Sequence, residues 1–327
     1  MRIVFCGTPD YAVPCLKRLW QLTSSHQVVA VVSQPDRPKG RSGALVSPPV
    51  VEAARTLGLP SQAILQPHTI NQPEVLRLLR ALAPDLLCVV AYGHILKKEA
   101  LALPRLLALN AHGSLLPKFR GAAPIQAALL AGETETGVSI MKMTAGMDRG
   151  PYLLHRSVPI RPEDNAGTLH DKLAELSAEC CVEAIAAVAS GIYTLTAQDE
   201  SMVTFAPKLE KDSGKIIWNR DALYLERLVR AMNPWPGAWT TVAVPDGSER
   251  QRIRVTRATA TISLGIKGGS PGYGLAVGAV GDAALIIECG SGALAIQTLQ
   301  PEGNREMSAA EFMRGAGRKL FPESRWE

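Results

Sequence analysis

The sequence predicts an α/β protein: a mostly parallel sheet domain followed by a small β-barrel domain. Three observations carry this. Short apolar or β-branched runs alternate with helical patterns over roughly the first 190 residues, as repeated strand–helix units do in a parallel sheet covered on both faces. The last third holds short strands separated by turn residues, which fits a small barrel. Between them, residues 191–209 are polar and irregular and read as a linker. A length of 327 residues suits two domains of about 100–200 residues each.

Ile3–Cys6 is a short apolar strand running into Gly7-Thr8-Pro9-Asp10. A helix follows from about Ala12 to Leu22, with Pro14 tolerated in its first turn, where an N–H has no helical partner to lose. Val28–Ser33 is β-branched and too short for a helix, so it reads as a buried strand. Pro48–Leu57 and Pro73–Leu82 read as helices, Leu86–Ala91 and Leu106–Asn110 as strands, Pro124–Ala131 as a helix closed by Gly132, and Val138–Met143 as a strand. Thr168–Ala189 is helical and ends at Gly191. Beyond the linker come a helix at Leu223–Met232, the corner Pro234-Trp235-Pro236-Gly237, and strands at Trp239–Val244, Arg252–Arg257, Leu275–Val280, Ala283–Cys289 and Ala293–Leu299. A short helix near Ser308–Met313 closes the chain.

The composition, 46% hydrophobic and 20% charged, excludes a disordered or fibrous chain. The longest apolar runs fall far short of the ~20 residues that span a bilayer, so no membrane association is expected. No targeting segment is visible, and a cytoplasmic location is expected. The net charge of +5 permits a polyanionic partner without demanding one. Cys6, Cys15, Cys88, Cys180, Cys181 and Cys289 show no C-x-x-C spacing, so they read as buried reduced thiols, with no metal site expected.

The strongest chemical signal is Asn110-Ala111-His112-Gly113-Ser114-Leu115-Leu116-Pro117. Asn110 and His112 share one face at the end of a strand, where open α/β sheets bind ligands. Met147-Asp148-Arg149-Gly150 follows the strand Val138–Met143. If that strand lies beside Leu106–Asn110, Asp148 arrives near His112, where a carboxylate would favour a protonated imidazole next to a developing oxyanion. The trio suits attack of an amine on a carbonyl. The bland alternatives are a satisfied histidine and capping or turn roles for Asn110 and Asp148. Gly7-Thr8-Pro9-Asp10 has a single glycine, which argues for a structural turn and against a dinucleotide cradle. Gln34-Pro35-Asp36-Arg37-Pro38-Lys39-Gly40-Arg41 is a basic loop suited to phosphate contacts, or simply solvated. Arg252 and Arg254 share a face of one strand, and an ordinary charged strand face is the alternative there.

These segments resemble the methionyl-tRNA formyltransferase family over essentially the whole chain. The likeness rests on Phe5–Ala12, Gln34–Arg41, Val89–Gly93, Asn110–Gln126, Glu135–Val138, Met147–Gly150 and Asn233–Pro236. The resemblance implies a Rossmann-like catalytic domain (1–190) that binds 10-formyltetrahydrofolate, a linker (191–209) and an OB-like C-terminal domain (210–327) that helps hold initiator tRNA. It implies transfer of a formyl group to the α-amine of methionyl initiator tRNA. By position it makes Asn110, His112 and Asp148 catalytic, with Ser114, Leu115, Leu116 and Pro117, and Val90, Ala91, Tyr92 and Gly93, beside the folate. Arg37, Lys39 and Arg41 would enter the acceptor stem, with Lys208, Arg252 and Arg254 as further tRNA contacts. A monomer is expected. Where members often carry Asp-Thr-Gly-Asp, this chain has Asp148-Arg149-Gly150-Pro151. The rival readings are formyl transfer to a small amine, a non-catalytic RNA-binding module, and a dehydrogenase, the last disfavoured by the missing glycine fingerprint.

Overall fold

A computed structural model describes residues 1–22, 26–39, 43–242, 250–280, 283–315, 317 and 326–327. The first part of the chain runs through β1 (Arg2–Gly7), α1 (Val13–Gln21), β2 (Gln27–Val32), β3 (Arg37–Lys39), β4 (Ala44–Val46), α2 (Pro49–Thr56), β5 (Ile64–Leu65), α3 (Pro73–Ala81) and β6 (Leu86–Val90). It continues through α4 (Lys98–Leu101), β7 (Leu107–His112), β8 (Arg120–Gly121), α5 (Pro124–Ala131), β9 (Glu135–Lys142), β10 (Tyr152–Pro159), α6 (Ala166–Ser190) and β11 (Phe205–Ala206). Prolines stand in the first turns of α1, α2 and α3. Gly132 and Gly191, with φ of +74° and +71°, follow α5 and α6, taking the left-handed conformation that a helix end favours.

One seven-stranded sheet has the order β10-β9-β7-β6-β1-β2-β5. The five strands from β7 to β5 are parallel, whereas β9 is antiparallel to both β7 and β10. Ile3, Val4, Phe5, Leu86, Leu87 and Val90 are fully buried, so the central strands are covered on both faces, as a parallel sheet with crossover helices requires. Short alternating patterns at β10 and the hairpin β3–β4 escape the sequence reading. The hairpin folds the start of the basic loop into two paired strands, Arg37 opposite Val46 and Lys39 opposite Ala44.

The later chain adds α7 (Ala222–Ala231), β12 (Ala238–Val242), β13 (Gln251–Thr261), β14 (Gly274–Val280), β15 (Ala283–Glu288), β16 (Ala293–Pro301), β17 (Met307–Ser308) and α8 (Ala309–Arg314). The strands form an antiparallel path β12-β13-β16-β15-β14, with β17 on β16, and β13 carries two register shifts against β16, the device by which a sheet curls into a half-barrel. The Asp221 side chain caps α7 by accepting from the N–H of Leu223 at 2.9 Å and of Tyr224 at 3.3 Å. The outer end of the expected strand Trp239–Val244 lies outside the described residues.

The chain divides into two compact units, and the division is not a simple cut. The first comprises Met1–Pro124, Glu135–Pro159 and Leu169–Pro207, and the second Ile125–Thr134, Ile160–Thr168 and Lys208–Glu327. Backbone hydrogen bonds account for the interleaving. Within the second unit the Ile160 N–H donates to Thr134 O at 2.9 Å and the Gly167 N–H to Asn233 O at 3.1 Å. Most of the expected linker belongs to the first unit. No helix is long and apolar enough to cross a membrane among the described residues.

Candidate active site

Asn110 and His112 end β7, two residues apart on one face, next to Met141 and Ser139 of β9. His112 is buried, and its Nε2 lies 2.9 Å from the carbonyl oxygen of Phe119. A carbonyl only accepts, so Nε2 carries a proton, and Nδ1 is the nitrogen left for chemistry. Asp148 Oδ2 lies 3.8 Å from Nδ1, within ion-pair reach but beyond hydrogen-bond length. The Asn110 amide is half-buried and has no hydrogen-bond partner among the described residues.

Asp148 is held in place elaborately. Its φ of +51° is left-handed, a conformation that costs a non-glycine residue about 1–3 kcal/mol and that Asp tolerates better than most. Its Oδ2 accepts from the Gly121 N–H at 2.8 Å. The Gln198 amide donates at 2.7 Å to the carbonyl oxygens of both Asp148 and Gly150. Gln198 in turn accepts from Nε and an end nitrogen of Arg120 at 3.0 and 2.8 Å. Arg120 is 1% exposed and also pairs with Glu200 at 2.9 Å, so its buried charge has a partner. The hydrogen bond from Arg120 holds the Glu200 carboxyl below the usual carboxylate range. Arg149, at the point of departure from the family pattern, reaches the same Glu200 at 3.5 Å. Gly150 is obligatory here, because a Cβ would lie 1.7 Å from Lys142 O.

The stretch after His112 is braced internally. Ser114 is fully buried, its hydroxyl donates to Lys118 O at 2.6 Å, and its carbonyl accepts from the Ser139 hydroxyl at 2.6 Å. The Leu116 N–H donates to Ser139 Oγ at 2.9 Å, and the Leu116 side chain is buried. Of the four residues Leu115 and Pro117 are partly exposed, while Ser114 and Leu116 are buried. Beyond β6, Val90 and Tyr92 are buried, while Ala91, with φ of +46°, and Gly93 are exposed. The Tyr92 carbonyl accepts from the Thr8 hydroxyl at 2.9 Å and from Gln34 Nε2 at 3.1 Å. Thr8 and Gln34 therefore tie the turns after β1 and β2 to this backbone, a turn role for Gly7-Thr8 in keeping with its lack of further glycines.

The cations divide by environment. Arg37 is exposed and donates to Gln34 Oε1, and Lys39 lies in β3, while Arg41 falls outside the described residues. Asp36 accepts from Gln66 at 2.6 Å, which lowers its pKa and fixes the base of the loop. In the second unit Lys208 is exposed. The exposed Arg252 guanidinium stacks 3.8 Å above the Trp239 ring. Arg254, on the same strand, donates to Pro234 O and packs against Gly237.

Three thiols that sequence spacing does not pair come together in the core: the sulfurs of Cys15, Cys88 and Cys181 lie within 4.8 Å of one another. All three are buried. Hydrogen bonds to Cys15 and Cys88, then burial, push the Cys181 thiol up.

Sequence reasoning missed Gln34, Arg120, Ser139 and Gln198. Gln34 and Arg120 stand within the resembling stretches but carried no role of their own, and Gln198 is a lone polar residue in an irregular segment with no motif to mark it.

Comparison with known proteins agrees with this architecture. A family profile described as Formyl transferase matches residues 1–185, and one described as Formyl transferase, C-terminal domain matches residues 208–317. The fold, the His112–Asp148 pair and these matches place the chain among the formyl transferases. Methionyl-tRNA formyltransferases of Geobacter metallireducens and Pseudomonas fluorescens are each 44% identical to it, over 98% of this chain and 97% and 95% of theirs. The chain belongs to the methionyl-tRNA formyltransferase family. Among solved structures, WlaRD, a sugar 3N-formyl transferase in the presence of dTDP and 5-N-formyl-THF, shares the fold with a TM-score of 0.63 at 16% identity, covering 93% of this chain and 99% of that one. HypX from Aquifex aeolicus, in complex with tetrahydrofolic acid, matches with a TM-score of 0.58 at 22% identity, covering 96% of this chain. This chain spans about half of HypX, 48% of its length.

Proposed function

We propose that this protein transfers the formyl group of 10-formyltetrahydrofolate to the α-amine of methionyl initiator tRNA. The observation that carries this reading is the His112–Asp148 pair beside the unspent Asn110 amide, in a chain related along its length to proteins of that name. The neutral amine attacks the formyl carbon, and negative charge grows on the formyl oxygen. Asn110 donates to that oxygen. His112, with Nε2–H given to Phe119, offers Nδ1–H to it when protonated. The 3.8 Å gap to Asp148 leaves that proton uncommitted, while the carboxylate stabilises the imidazolium and receives the amine proton through water; as the tetrahedral adduct collapses, the bond between the formyl carbon and N10 breaks, that proton passes on to N10, and tetrahydrofolate leaves. The folate lies against the exposed backbone at Ala91 and Gly93 and against Leu115 and Pro117. Thr8, Gln34 and Ser139 keep those segments rigid.

The tRNA is held by local patches. Arg37, Lys39 and Arg41 serve the acceptor stem. In the second unit, Arg252 on Trp239 combines a cation with an aromatic face, the pairing that nucleic acid favours, and Lys208 adds charge. The test mixes the protein with 10-formyltetrahydrofolate and either charged initiator tRNA or an amino-sugar nucleotide. Formyl-methionyl-tRNA as the sole product supports the reading, and formylation of the sugar alone would overturn it.

A further inference from the structure

The segment 196–206, which reads in sequence as part of a linker, ties the turn that carries Asp148 to the loop whose backbone holds both His112 and Asp148. At one end Thr196 and Tyr152 exchange backbone hydrogen bonds of 2.9 Å in both directions, fixing the strand that leaves the Asp148 turn. At the other end the Phe119 N–H donates to Thr204 Oγ1 at 2.8 Å, and the Arg120 and Ala122 N–H groups donate to Thr204 O and Ala206 O at 2.9 and 2.8 Å. Phe119 is the residue whose carbonyl holds His112, and Gly121 the one whose N–H holds Asp148. Between the two ends lies Gln198. Its two amide protons are divided between the carbonyls of Asp148 and Gly150, and its oxygen is saturated by Arg120.

We infer that Gln198, oriented by the buried Arg120, is a positioning residue that sets Asp148 against His112. The chemistry is specific. An amide is needed, because the same side chain must donate to two carbonyl oxygens and accept from a guanidinium. Asp148 is left-handed, so its backbone relaxes toward an ordinary φ when those two donors are lost, and the carboxylate moves with it. Gln198 touches neither the imidazole nor the carboxylate, so its effect passes through the Asp148 backbone. This inference rests on the formyl-transfer reading only for its kinetic readout.

The test uses the full chain with Gln198→Glu and Gln198→Ala. Glu keeps the size and the Arg120 contact but donates nothing to the carbonyls. Ala removes the clamp without adding a charge, which keeps the experiment decisive if the Glu variant fails to fold. With methionyl-tRNA and 10-formyltetrahydrofolate, kcat falls by about 10²-fold, the usual scale for an ångström of misplacement, while both KM values stay within about twofold. In an Asp148→Asn background the same changes add little further loss, because the clamp has no carboxylate left to place. Losses that multiply in that background, or a rise in KM with kcat intact, overturn the inference. Hydrogen exchange at residues 146–151 supplies a readout without substrate. Faster exchange there in the variants supports the clamp, and unchanged protection refutes it even if the wild type fails to formylate methionyl-tRNA, an outcome that would remove the functional reading alone.

Discussion

Replacing Asp148 by Asn removes one charge and little else. Asparagine tolerates the left-handed φ of +51° at this position, and its side-chain oxygen still accepts from Gly121. Two unit charges 3.8 Å apart attract by about 4 kcal/mol at an effective dielectric near 20. The Asp148 side chain is 16% exposed, so solvent screens part of this, leaving about 2–3 kcal/mol on the imidazolium-bearing transition state. At about 1.4 kcal/mol per tenfold, kcat falls roughly 30–150-fold. The assay is steady-state formylation of methionyl-tRNA with both substrates saturating, and KM for each is expected to hold. A variant within about threefold of wild-type kcat, or one whose loss lies wholly in KM, would refute the role assigned to the carboxylate.

Other perturbations separate the remaining parts. Arg252→Ala should raise KM for tRNA and lower the slope of log affinity against log salt by about one, leaving KM for the folate unchanged. Gly150→Ala forces a Cβ to within 1.7 Å of Lys142 O, and the loop must shift; urea unfolding should show a loss of about 1–3 kcal/mol, with kcat reduced because Asp148 is two residues away. Asp85 is held below the usual carboxylate range by the Arg2 N–H and by Arg105, so its contribution is complete above the unfolded pKa of about 4 and fades as pH falls through the lower folded value. Asp85→Asn should therefore lower stability at pH 7, and the gap to wild type should close in unfolding curves recorded at about pH 3.

The elements legible in sequence are those whose physics is local. Val28–Val32 and Leu86–Val90 are buried strands because no turn residue interrupts their apolar runs, and helices α1, α2 and α3 announce themselves by proline at the start and a charged outer face. The short β3–β4 hairpin was not legible, because Pro38 sits within it and its apolar residues Leu45 and Val46 face solvent. The reversed strand β9 was half legible: its apolar run marks a strand, but direction is a property of pairing with β7.

The site divides in the same way. Asn110 and His112 are two apart on one strand, and alternation alone puts them on one face. Their neighbourhood on β7 and the Gly-containing turn before Asp148 were readable because each lies within a few residues of its strand. The partners of Arg254 and Ser114 were not readable: a backbone carbonyl at the Pro234 corner for one, and Lys118 and Ser139 for the other. Nothing near Gln198 in the chain hints at its task, since its partners Arg120, Asp148 and Gly150 lie 78, 50 and 48 residues away.

Sequence alone determined which residue types stand at the rim, the alternation that builds a parallel sheet, and the resemblance that names the chemistry. It did so because strand faces, helix starts and turn residues depend on neighbours in the chain. Tertiary structure alone decided which nitrogen of His112 is available, how a left-handed Asp148 is kept beside it, and that most of an apparent linker is part of the first compact unit. Those outcomes depend on hydrogen bonds between segments far apart in the chain, whose buried polar groups must find partners wherever the fold brings them.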